Sequence, residues 1–140
     1  MDGPPDAYLI VCTMAWNVDL HLQFPIVVLT YSGEIAPADL EASFASTITL
    51  CESSKCFLIL ADCLQMTGGH SLTDVYMTAS ALANQEDLHH FREALILPEA
   101  QAMDELPRFW ETVSNNHGLS AKTFTGRQEA IDWLMAPAAE

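Results

Sequence analysis

Two apolar runs, Phe24–Tyr31 (FPIVVLTY) and Cys56–Ala61 (CFLILA), decide the fold. Each is too short for a buried helix and rich in aliphatic or β-branched residues, so each reads as a strand. Strands apolar at nearly every position are usually covered on both faces. Pro25 belongs at the start of its strand or at a bulge, because it has no amide to donate. Between the runs, Ser32-Gly33 signals a turn and Ala36-Pro37 opens a helix. Proline occupies its first position, and Asp39 and Glu41 sit where the helix dipole favours acids. Leu40, Phe44 and Ile48 recur every four residues as its apolar stripe,. The helix should run to about Glu52 and break at Ser53-Ser54-Lys55.

Working outward, Ala7–Met14 reads as a strand, and Trp16–Gln23 either extends it or forms a short strand of its own. Asp62 closes the second decisive run, and Cys63–Ser71 (CLQMTGGHS) reads as a loop. Ser71-Leu72-Thr73-Asp74 fits a capping box opening a helix, with Val75, Tyr76, Ala79, Leu82 and Ala83 on its buried face. Arg92–Leu97 (REALIL) reads as a strand ended by Pro98. After a loop or loose turn over Glu99–Leu106, Pro107 starts a helix with Phe109, Trp110 and Val113 inward, and Gly118 ends it. Ser120–Phe124 is a short edge strand. Thr125-Gly126-Arg127-Gln128 fits a second capping box, and the last helix carries Ala130, Ile131 and Leu134. Pro137–Glu140 is a tail. The expected fold is α/β, a single mixed four- to five-stranded sheet with about four helices in the order β-β-α-β-α-β-α-β-α. It forms one domain with its core at about residues 7–135. The first strands pair antiparallel, and the later ones run parallel through right-handed crossovers.

The chain has 140 residues, half of them hydrophobic, and 5 Lys and Arg against 19 Asp and Glu, for a net charge of −14. Such a chain folds without a metal or disulfide. Its acidity argues against nucleic acid, which requires a cationic patch, and against an anionic membrane surface. The acidic, Pro-rich start is unlike a signal peptide, and no apolar run is long enough to span a membrane. The expected compartment is the cytoplasm. Cys12, Cys51, Cys56 and Cys63 form no Cys-x-x-Cys pair and read as free thiols, mostly in apolar surroundings,.

In that order of elements, four segments resemble a STAS domain, of the SpoIIAA-like branch related to the SEC14 lipid-binding fold. Thr30–Ile35 (TYSGEI) resembles the strand-Gly-Glu entry into the family's first helix. Leu58–Asp62 (LILAD) resembles its central strand ending in Asp, and Arg92–Leu97 its fourth strand. Phe124–Leu134 (FTGRQEAIDWL) resembles the closing helix. The resemblance spans about Tyr8 to Leu134. It implies partner binding rather than catalysis. STAS domains serve as anti-sigma-factor antagonists and regulatory modules, and some bind nucleotides or small apolar ligands. The regulatory version carries an Asp-Ser-Ser/Thr-Gly motif at the start of the second helix, and its Ser is phosphorylated. Here that stretch is Met66-Thr67-Gly68-Gly69-His70-Ser71-Leu72. The Asp is missing, which argues against the switch and leaves Ser71 as a helix cap. The SEC14 side of the resemblance implies an apolar pocket.

The candidate binding residues are Asp62, Thr67, Gly68, Gly69, His70 and Ser71, which would lie at the carboxyl edge of the sheet, where open α/β folds bind ligands. The competing view is that Gly68-Gly69 only turns the chain and Ser71 only caps. His70 is a weak candidate base, with Ser71, Thr67 and Asp62 merely its sequence neighbours. His89-His90 with Glu86 and Asp87 reads as a solvated helix end before a metal cluster. No cofactor or metal is expected. The leading expectation is a non-catalytic module acting through protein contacts at the Asp62–Ser71 edge. The second is a carrier of a small apolar, lipid-like ligand between sheet and helices, and the third an enzyme using His70.

A homodimer is also expected, from apolar surface left on the sheet if the helices gather on one face. Residues 1–54 carry seven acids and no Lys or Arg. A symmetric contact there would place Trp16, Leu20 and Leu22 centrally and its acids at the rim. Salt screens like-charge repulsion, so such a dimer should tighten or stay constant as salt rises. Sedimentation at low and high salt measures this; a monomer under both conditions removes the interface.

Overall fold

The computed structural model describes residues 15–69, 72–80, 90–101 and 104–136. The expected strand Ala7–Met14, with Cys12, lies outside the described residues. So do His70, Ser71, Leu82, Ala83, Glu86, Asp87, His89, the tail from Pro137, and the side chains of Tyr76 and Ala79.

The two decisive runs become neighbouring parallel strands, β2 (Val27–Glu34) and β3 (Leu58–Gly68), with Val27 opposite Ile59 and Leu29 opposite Ala61. Trp16–Leu20 forms β1, antiparallel to β2. Arg92–Ile96 forms β4 and Ser120–Phe124 forms β5, both parallel, completing among the described residues one five-stranded sheet in the order β1-β2-β3-β4-β5. Among the described residues four helices accompany it: α1 (Pro37–Ser54), α2 (Leu72–Ser80), α3 (Glu105–Asn116) and α4 (Arg127–Met135). The element order matches the expectation. Pro25 precedes β2, and Val27, Ile59 and Leu60 are buried, each burial worth roughly 1.5–3 kcal/mol.

Strand alternation divides the sheet into two faces. One carries Val18, Leu29, Tyr31, Ile59, Ala61, Cys63, Glu93, Leu95 and Ala121; the other carries Asn17, Val28, Leu60, Asp62, Arg92, Ala94, Ile96 and Lys122. Strand order advances in one direction, so crossovers of one hand put every connecting helix on the same side. Leu40, Phe44 and Ile48 of α1 and Trp110 of α3 accordingly pack with the first face. The closing helix α4 is under no crossover constraint. It covers the second face, with Ala130, Ile131 and Leu134 on Leu60, Ala94 and Ile96.

That placement corrects the expectation of a bare apolar face. Beyond α4 the second face turns polar at Asn17 and Asp19 of β1. Trp16 packs against the core cluster of the first face, so it is not the free centre of a patch. Among the described residues of this edge, Leu20 is 47% and Leu22 99% exposed.

Other boundaries also differ. Cys63–Gly68 continues β3 instead of looping, because β2 runs on through Ser32-Gly33 and supplies a partner: Ser32 pairs with Gln65, Gly33 with Met66 and Glu34 with Gly68. Bulges absorb the mismatch,, with Gly33 at φ +75 and Gly68 at φ +120. The helix α1 runs two residues past Glu52, to Ser54, and Lys55 caps it in the left-handed region. α3 begins at Glu105, so Pro107 is its third residue. The N-cap of α4 is Gly126, not Thr125, and no side chain caps it.

Where β3 ends, the Ile35 amide donates to the Gly68 carbonyl at 2.7 Å, and Gly69 passes close to Ile35. A Cβ on Gly69 would lie 2.8 Å from the Ile35 nitrogen, with φ at +99; one on Gly68 would meet nothing within 4 Å. Gly69→Ala should therefore cost about 2 kcal/mol or more, and Gly68→Ala about 1 kcal/mol from backbone strain alone. Urea denaturation of both variants checks the order; equal costs would refute the close approach.

Candidate functional site

The first sheet face and helices α1–α3 do not close completely on each other. Between them lies a cavity of about 530 Å3. Its floor is Leu29 and Tyr31 of β2, Ala61 and Cys63 of β3, and Glu93 and Leu95 of β4. Leu40, Phe44 and Ile48 of α1 form one wall, so the stripe read from the sequence lines this space. Val75 and Thr78 of α2 and Trp110 of α3 form the others, and Asp104 and Glu105 stand exposed at one end.

The side chains of Tyr31, Cys63, Thr47 and Glu93 are among the polar groups that border this apolar space. Ser43 donates to the Leu40 carbonyl at 3.1 Å, so the Tyr31 hydroxyl donates to Ser43 Oγ at 2.8 Å. Burial pushes the Tyr31 phenol and the Cys63 thiol far up, and both stay protonated. The Thr47 hydroxyl is buried without a hydrogen-bond partner among the described residues. Glu93, only 7% exposed, accepts a hydrogen bond from Trp110 Nε1 at 2.8 Å. Burial raises its carboxyl from 4.5 to about 7, opposed by the Trp110 bond,. Among the described residues no Lys, Arg or His lines the cavity. A desolvated carboxylate normally has a cationic partner, and among the described residues Glu93 has only an indole N–H.

The residues expected at the sheet edge are not all brought together. Thr67 and Gly68 border the cavity, and Gly69 packs on Ile35. Asp62 faces the opposite side of the sheet, where Arg127 Nη1 pairs with its Oδ2 at 2.8 Å and its Oδ1 accepts the Leu64 amide at 3.1 Å. His70 and Ser71 lie outside the described residues, so neither the base nor the cap has a described geometry. Among the described residues no group of three His, Cys, Asp or Glu could hold a metal. Cys51, Cys56 and Cys63 are buried and free.

No protein-family model and no curated protein matches the chain. In structure it is similar to an uncharacterized protein from the DUF3478 family with a SpoIIAA-like fold, from Shewanella loihica PV-4. The TM-score is 0.53 at 20% identity, over 86% of this chain and 92% of that one. The fold is SpoIIAA-like.

On that SpoIIAA-like frame, Glu93 is the residue the sequence reading passed over. Alternation in Arg92–Leu97 sets Glu93 beside Leu95, on the face that the crossover helices cover. An acid in a run covered on both sides was the available signal. Among the described residues no helix is long and apolar enough to cross a membrane.

Glu93 gives the protein a pH signature. The folded state holds this proton more tightly than the unfolded chain does. Its contribution is therefore favourable at low pH and lost as pH rises from 4.5 through about 7,. Glu93→Gln keeps an acceptor for Trp110 and cannot ionise. Relative to wild type, the variant should gain about 2–3 kcal/mol between pH 5 and pH 8. Paired urea titrations across that range read the difference; parallel curves would show that Glu93 is not desolvated.

Proposed function

We propose that this SpoIIAA-like chain is a non-catalytic binding module that carries a small, largely apolar ligand between its sheet and helices α1–α3. The cavity of about 530 Å3 is the observation that carries this reading. It lies within the size range of small-molecule sites, and an apolar lining with a few polar groups is their usual make-up. Voids of that size are otherwise rare in close-packed interiors. The chemistry of the lining supports binding over catalysis. Tyr31 and Cys63 hold their protons, and no activated nucleophile with a base beside it is present among the described residues.

Protein contact at the Asp62–Ser71 edge is the second reading, with Asp62 itself turned to the opposite face. Thr67 is exposed and also borders the cavity, so an occupant would alter the edge that a partner meets.

Native mass spectrometry of the purified protein should find a small co-purified mass, and 1-decanol should bind at one equivalent by titration calorimetry. Ala61, buried on the cavity floor, offers the control. Ala61→Phe fills the space and should weaken decanol at least tenfold. Decanol binding unchanged in Ala61→Phe would move the site elsewhere, and no binding at all would overturn the carrier reading.

A further inference from the structure

The ligand's polar end can be inferred from what surrounds it, given the cavity reading above, on which this step rests. We propose that the cavity selects an apolar amine, with its hydrocarbon body against Leu40, Phe44 and Ile48 and its ammonium group received by the Glu93 carboxylate. Three observations converge on a cation. Glu93 lies on the cavity floor, 7% exposed, with Trp110 Nε1 its one hydrogen-bond donor among the described residues. None of the chain's five Lys and Arg lines the cavity. Asp104 and Glu105 stand at its exposed end, on a chain of net charge −14. An anionic lipid would meet acids at the rim and on the floor with no counter-charge. A neutral alcohol could donate a hydrogen bond to the carboxylate but would leave its charge uncompensated,. An ammonium supplies the missing partner through a charge-assisted hydrogen bond, the stronger kind.

Binding should then be linked to pH through one group. Facing Glu93 are the Tyr31 phenol from β2, the Cys63 thiol from β3, the Cys51 thiol from α1, and Trp110 from α3. Of α2, Val75 and Thr78 line the cavity, and Ala121 of β5 lies beside Glu93; none of these titrates. Burial keeps Tyr31 and both thiols protonated, Cys51 being pushed up to about 12, while Asp104 and Glu105 are exposed acids. Between pH 6 and 8 the group that changes charge among these is Glu93, near 7. An alkylammonium keeps its proton to roughly pH 10, as lysine does. Amine binding must therefore expel the Glu93 proton, and affinity should rise with pH through this range.

Calorimetry with three probes of one chain length, decylamine, 1-decanol and decanoate, tests this on the full chain. Decylamine should bind at least tenfold more tightly than decanol at pH 7.5, and decanoate weakest. The amine's affinity should climb from pH 6 to 8 while decanol's stays flat. Glu93→Gln should abolish the amine's advantage over decanol and its pH dependence. Should that variant misfold, Trp110→Phe keeps the test open: losing its donor should move the pH midpoint upward. Equal binding of the three probes, decanoate binding tightest, or an amine advantage that survives Glu93→Gln would overturn the amine proposal while the cavity reading stands. Failure of decanol and decylamine alike would bring down the cavity reading itself.

Discussion

The parallel ladder between β2 and β3 sets the geometry on which the other elements depend. It runs from Val27 opposite Ile59 to Glu34 opposite Gly68, past two bulges. Its far end is tied by the Ile35 amide on the Gly68 carbonyl and by the approach of Gly69 to Ile35. From that end the chain leaves into α1 on one side and toward α2 on the other. The helices thus inherit their spacing from the strands. The small side chain of Ala61 lies on the floor of the gap beneath them.

Much of this was legible in the sequence, because burial on both faces leaves a continuous apolar signal. Phe24–Tyr31 and Cys56–Ala61 needed no tertiary information, and neither did the four-residue stripe of α1. Cys63–Gly68 defeated the same logic. Its Gln65, Thr67 and glycine have the composition of a loop, and only a partner strand that itself passes through Gly33 makes it a strand. The α4 cap failed for a local reason, since Thr125 and Gly126 are adjacent and the backbone chose the glycine.

The site was harder to read. Asp62 and Thr67 are near in sequence, but Asp62 takes the face opposite the cavity and pairs with Arg127, whereas past a shift of register Met66, Thr67 and Gly68 all border the cavity. Glu93 needed two facts at once: which face it takes, and that three crossover helices cover that face. Alternation supplies the first. Only the strand order supplies the second, and a single sequence does not print it.

The division of the sheet also divides the charge. Arg92, Lys122 and Arg127, three of the chain's five basic residues, belong to the α4 side. Asp62, Glu129 and Asp132 offset them there, whereas among the described residues Glu93, Asp104 and Glu105 on the cavity side have no basic residue beside them in the lining. The molecule therefore carries an electric moment across its thickness, with the cavity side the more negative. Such a field acts on a charged ligand before contact, drawing a small cation toward the cavity side and turning an anion away.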